Sequence, residues 1–198
     1  MAEWTNTTNS YFRPYRHPLG SPPIRYFEES TCAATAILQY GDVVAFDTVA
    51  ATAGHRILRA PSSGGTGTNL LQVGVTSLLG VCGENSTSDG STSGLTNGTV
   101  VGPQKVNRKL GVWLADPNTE FIGFMSTAGG NNLAASTLIG LQKAVIYDRT
   151  LHRFLIDSTN STAALFAVKI TDIPSESIND TNGPVIFKFL SSNVATVV

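Results

Sequence analysis

The stretch LGVWLADPNTEFIGFM, residues 110–125, decides the fold class. Leu110, Val112 and Leu114 alternate with Gly111, Trp113 and Ala115, the period of two that sends successive side chains to opposite faces of a β-strand. Asp116-Pro117-Asn118 then reads as a turn, because proline presets the backbone for the first central position. Phe121 to Met125 resumes strand-like apolar character directly afterwards.

Toward the C-terminus the same pattern recurs. Ala144 to Tyr147 and Arg153 to Asp157 flank the short connection Asp148 to His152, and are expected to pair as a hairpin. Ala164 to Ile170 and Val185 to Leu190 are separated by the turn-rich DIPSESINDTNGP. Only Asn131 to Leu141 has helical potential: Ala134, Ala135 and Leu138 are tolerable helix formers, with Asn132 as a cap. Residues 106–198 are therefore expected to form a compact antiparallel β-barrel or sandwich.

Toward the N-terminus, residues 34–105 hold short apolar runs broken by glycine: AILQYGDVVAFD, HRILRAP and LLQVGVTSLLGVCGE. Each is strand-length and rich in β-branched residues, which predicts a second β-rich domain. In Asp42 to Asp47 the acidic ends bracket an apolar centre. The polar segment 85–102, with Asp89-Gly90 and Asn97-Gly98 suited to hairpin turns, reads as an exposed loop or hairpin tip. Residues 1–33 carry Pro14, Pro18, Pro22 and Pro23, and no regular period survives that spacing. They read as an extended arm, so the predicted fold is all-β: an arm, a short-stranded β domain and the barrel or sandwich.

The arm is unusual for its aromatics: Trp4, Tyr11, Phe12, Tyr15, Tyr26 and Phe27. Disordered tails lack such residues, so these rings need somewhere to be buried. The arm either folds back on its own domain or docks on another subunit. Tyr11, Phe12, Arg13, Tyr15, Arg16, Tyr26 and Phe27 are the candidate capsid or subunit-interface residues, since interfaces are anchored by aromatics and arginine.

Composition bounds the remaining functions. Charged residues make up 14% of the chain and the formal net charge is -1, so no basic groove for nucleic acid is expected. No run approaches the ~20 apolar residues of a membrane helix, and residues 1–20 lack the apolar core of a signal peptide. No nucleic-acid or membrane partner is therefore expected. Cys32 and Cys82 form no C-x-x-C pair and read as reduced, small hydrophobes.

A search for chemistry returns little. His17, His55 and His152 are not spaced as a metal pair, and each falls in a loop or turn. Asp116 with Glu120, and Asp148 with Asp157, could be named as acid pairs for a glycosidase, but turn chemistry explains each. No nucleophile elbow or calcium-loop pattern is present. The expectation is a protein with no catalytic residues, no metal and no cofactor.

Three pieces carry a resemblance: VWLADPNTEFIGFM (112–125), IGLQKAVIYD (139–148) and ALFAVKITDIPSESINDTNGPVIFKFLSS (164–192). They resemble a group of small tailed-bacteriophage head proteins described as capsid decoration, cement or stabilising proteins. Members show an aspartate-proline turn inside a hairpin, a small-residue segment reaching Ile-Gly-Leu, and an Asn- or Asp-rich turn before the last strand. GDVVAFD and LLGVCGE look similar to the β-rich domain with which such proteins open. The segment 85–102 departs from that pattern. The resemblance implies a homotrimeric structural virion protein, assembled in the host cytoplasm, that binds the outer capsid surface and bridges subunits of the major capsid protein. An alternative is a virion surface module for glycans or a receptor, using Trp113 and the 85–102 loop. An enzyme is the third reading, and it lacks an acid, base or metal constellation.

Overall fold

Fifteen strands and no α-helix make up the described residues of the computed structural model, which are 11–29, 38–46, 56–60, 62–63, 68–71, 78–84, 95–96, 99–100, 109–126, 133–149 and 151–195. In chain order the strands are β1 (Arg13–Arg16), β2 (Ile24–Glu29), β3 (Val43–Phe46), β4 (Arg56–Arg59), β5 (Ser62–Ser63), β6 (Thr68–Leu71), β7 (Leu78–Cys82), β8 (Leu95–Thr96) and β9 (Thr99–Val100). They continue with β10 (Lys109–Leu114), β11 (Glu120–Phe124), β12 (Gln142–Asp148), β13 (Arg153–Asp157), β14 (Phe166–Asp172) and β15 (Pro184–Phe189). The all-β class read from the alternating runs is what the structure shows.

Five strands close a small barrel in the order β10-β2-β4-β3-β7. Its interior is filled by Val44, Ile57, Leu79, Cys82, Leu110 and Val112, with Phe27, Phe46 and Leu114 packed against them. Leu110, Val112 and Leu114 thus spend their shared face inside the barrel, as the period of two requires. Eight other strands form one sheet, β1-β11-β15-β14-β12-β6-β5 with β13 on the free side of β12, and β8 and β9 form a separate two-stranded sheet. A parallel bridge between Met125 and Ile156, and a 2.8 Å bond from Ser126 N to Ile156 O, curl β13 back toward β11.

The two sheets share a core. Val43, Ala45, Leu78 and Val81 on the outside of the barrel cluster with Phe121, Val145, Phe154, Ile170, Phe187 and Phe189 of the sheet. A barrel ion pair reaches the same junction: Arg59 donates to the buried Asp42 carboxylate at 2.8 and 2.9 Å, and its guanidinium crosses to the sheet, 4.7 Å from the Tyr147 ring centroid. Asp42, one of the two acidic residues that bracket the apolar run 43–46, is itself buried. Its carboxylate also accepts from Gln39 N at 2.9 Å, so its burial is compensated by three donors.

Several expectations need correction. The turn Asp116-Pro117-Asn118 does not close a hairpin. It hands the chain from β10 in the barrel to β11 in the large sheet, because β10 is already paired on both edges, by β2 and β7. Strand pairing crosses the bounds 1–33, 34–105 and 106–198, since the barrel and the large sheet each draw strands from all three segments. The expected helix across 131–141 is a single 3-10 turn at Ser136–Leu138 among the described residues; Asn132 lies outside them. The hairpin of β12 with β13 is as expected, and the two runs on either side of the turn-rich segment, β14 and β15, pair with each other. Within 85–102, β8 and β9 pair antiparallel around Asn97 and Gly98, which are outside the described residues.

The described part of the expected arm, residues 11–29, does not stand off from the body. β1 pairs with β11, β2 pairs with β10 and β4, and Phe12 is fully buried. Proline spacing excludes a helix but leaves edge strands open, and the rings of this segment supply the apolar surface that drives it inward.

Candidate interaction surface

The seven residues singled out from the arm are divided by the fold between core and surface. Phe12 sits 4.8 Å from Phe187 and 6.4 Å from Phe154, centroid to centroid, in the shared core. A Cβ at Gly123 would lie 2.5 Å from the Phe12 ring, so glycine there makes room for the ring. Phe27 meets Phe46 edge-on at 5.7 Å inside the barrel. Tyr11 is half-buried and edge-to-face with Tyr40 at 6.2 Å, and Tyr40 meets Trp113 the same way at 5.5 Å. Arg13 is half-buried on β1 opposite Ile122.

Tyr15, Arg16 and Tyr26 remain at the surface. Arg16 Nε donates to Glu120 at 2.6 Å, and that hydrogen bond and charge raise its pKa further above the ordinary arginine value. Tyr26 is 63% exposed and stands opposite Gly111 in the β2–β10 ladder, two pairs along from Ile24 and Trp113 and on the same face. Its ring would touch a Cβ at Gly111 at 3.4 Å, and the Trp113 ring would do the same at Gly83. Ile24, Tyr26, Gly83, Glu84, Gly111 and Trp113 thereby line a shallow cleft of about 50 Å³ on the outside of the barrel.

Two surface features were not legible as such in the sequence. The first is Leu19, which is 87% exposed at the tip of the turn between β1 and β2. That turn is held by Gly20 N to His17 O at 3.0 Å and Leu19 N to His17 Nδ1 at 3.2 Å. His17 Nε2 in turn faces Asp116 Oδ2 at 3.8 Å. Proline on either side of Leu19 was the available signal, since it marks a stiff turn. The second is a half-open cavity of about 340 Å³ where the barrel meets the C-terminal residues, lined by Leu79, Leu114, Pro117, Phe189 and Val194 with Asp116 at its wall.

The acidic residues named for chemistry are engaged in local structure. Asp116 accepts from Asn118 N at 2.7 Å and from the Thr119 hydroxyl, which fixes its turn. Glu120 holds Arg16. Asp148 accepts from Leu151 N at 3.0 Å, and Asp157 from Thr159 N at 2.9 Å and Thr159 Oγ1 at 2.6 Å. His152 takes a left-handed backbone, φ 50°, with Nδ1 3.5 Å from the Tyr147 hydroxyl. Cys82 is buried, its Sγ 3.1 Å from Glu84 O; Cys32 and His55 lie outside the described residues. Among the described residues no group of three His, Cys, Asp or Glu side chains is placed to hold a metal, and no helix is long and apolar enough to cross a membrane. Comparison of the chain with protein-family models, curated proteins and solved structures finds no match.

Proposed function

We propose that the protein is a structural component of a phage virion that attaches as a trimer to the outer surface of an icosahedral head and bridges subunits of the major capsid protein. The observation that carries this reading is the display of large apolar side chains along one short stretch. Tyr15, Leu19, Ile24 and Tyr26 are each at least half exposed and interleave with the surface arginines Arg16 and Arg25. This mixture is typical of protein docking surfaces, and here it is mounted on paired strands and a bonded turn, so little ordering entropy is lost on docking. The engagement of the candidate acids in turns and ion pairs supports a binding role over a catalytic one.

The test is co-sedimentation of the purified protein with heads that lack it, followed by electron microscopy of the decorated particle. Extra density on the outer surface over contacts between capsid subunits is expected. Undecorated shells at saturating protein would remove the proposal.

A second reading, a module for glycans, is favoured by one specific feature. Tyr26 and Trp113 flank a cleft floored by Gly83 and Gly111 and edged by Glu84, an arrangement suited to stacking against a sugar ring. Glycan-array binding that is lost in Tyr26→Ala, without any binding to heads, would favour this reading over the first.

A further inference from the structure

We propose that His17 makes the β1–β2 turn sensitive to protons: neutral, its imidazole holds the turn through Leu19, and protonated, it turns to Asp116 and releases Leu19. Two contacts of one ring carry the proposal. Nδ1 accepts from Leu19 N at 3.2 Å, and Nε2 faces Asp116 Oδ2 at 3.8 Å. Both contacts need the same neutral tautomer, with the lone pair on Nδ1 and the hydrogen on Nε2. Pro18 has no N–H of its own, so the His17 ring reaches the next one along, as the side chain of an Asx turn does. The His17 side chain is only 8% exposed, so its nitrogens are committed to these two neighbours.

The two contacts respond to a proton in opposite ways. A proton taken up on Nδ1 turns the acceptor of the Leu19 N–H into a second donor aimed at it, and that bond is lost. The same proton places a full positive charge beside Asp116, whose carboxylate is already fixed by Asn118 N and the Thr119 hydroxyl, so the contact with Nε2 becomes charge-assisted. Asp116, on the crossing between β10 and β11, is the charged group that faces the ring; Arg16, next to His17 in the chain, is turned to Glu120 of β11. After the switch the turn keeps the bond from Gly20 N to His17 O, but the 87% exposed Leu19 loses its fixed presentation. The consequence for attachment rests on the docking reading above, in which Leu19 is one of the displayed side chains: acid weakens it.

Nuclear magnetic resonance of the nitrogen-15-labelled full chain, taken from about pH 8 to about pH 5, tests this. In the wild type the Leu19 amide resonance is expected to move together with the His17 ring resonances and to share their midpoint. In His17→Asn, whose Oδ1 replaces Nδ1 as the acceptor and gains no proton in this range, the Leu19 amide is expected to stay still. A Leu19 amide that ignores the titration of His17, or that moves alike in His17→Asn, overturns the proposal. The wild-type titration decides it even if the variant does not fold. Co-sedimentation with heads that lack the protein, at both ends of the range, reads the consequence separately: weaker attachment in acid for the wild type and equal attachment for His17→Asn. Wild-type attachment that is the same at both ends overturns the control of docking, whereas no attachment at either end overturns the docking reading and leaves the switch to the resonance titration.

Discussion

Phe12 and Gly123 form one unit at the scale of single residues. The ring occupies the volume that a side chain at 123 would need, and it contacts Phe187 and Phe154 in the shared core. Phe12→Ala is expected to destabilise the protein by about 3–5 kcal/mol, the range for truncating a buried phenylalanine. Tyr26→Ala, at a ring mostly in solvent, should stay within about 0.5 kcal/mol. Gly123→Ala should be damaging in the wild type and much less so beside Phe12→Ala, a coupling that urea denaturation of the four proteins would measure. Additive losses would mean that ring and glycine do not share space.

Tyr147 gives a pH dependence of defined sign. Burial pushes its phenol up to about 12 from the ordinary 10.0. Between those values the unfolded chain has released the proton and the folded chain still holds it, so stability falls as pH rises through the window. Tyr147→Phe is expected to remove this fall: relative to wild type, its urea midpoint should improve steadily from pH 9 to 12. Parallel curves would show that the phenol titrates as freely as in the unfolded chain. Nearby, burial raises the Asp42 carboxyl pKa against the opposing pull of Arg59. Asp42→Ala should cost about 3–5 kcal/mol, because it strands a buried guanidinium. The double change Asp42→Leu, Arg59→Met should cost less than that.

The segment from Tyr11 to Glu28 serves both sheets at the scale of elements. β1 covers one edge of the large sheet through β11, and β2 closes the barrel between β10 and β4. Deleting residues 1–19 removes β1 and Phe12 together, so the remaining chain is expected to lose its cooperative thermal transition rather than persist as a folded body without an arm. Deleting residues 1–10 leaves every described strand intact and should preserve that transition. Circular dichroism melts of the two truncations distinguish them, and a well-folded protein lacking residues 1–19 would contradict the account. The turn at Asp116 matters for the same reason. It is a crossing between sheets, so its fixed geometry sets how barrel and sheet meet.

At the scale of the whole molecule, barrel and sheet cannot be separated without exposing the common core. Val43, Ala45 and Val81 would lose their packing against Phe121, Phe187 and their neighbours, and the Arg59 to Tyr147 contact would break. One unfolding transition is therefore expected, with tryptophan fluorescence and far-ultraviolet circular dichroism coinciding in urea. Two separated transitions would show that the barrel and the sheet are independent domains after all.

The alternation around Trp113, the hairpin of β12 with β13 and the strand runs of β14 and β15 were legible in the sequence. A period of two fixes which face of a strand is apolar, and a short polar connection fixes its neighbour. The sequence called for burial of the arm's rings without distinguishing those that enter a core, Phe12 and Phe27, from those left at the surface, Tyr15 and Tyr26. Tertiary structure decided the destination of residues 11–29, the burial of Asp42, and the role of Asp116-Pro117-Asn118 as a crossing rather than a hairpin turn. Alternation carries no information about which distant strand completes a ladder. Barrel closure draws β2, β3, β4, β7 and β10 from across the chain, so the exposed turn at Leu19 and the cavity beside Pro117 take their places only once those strands have met.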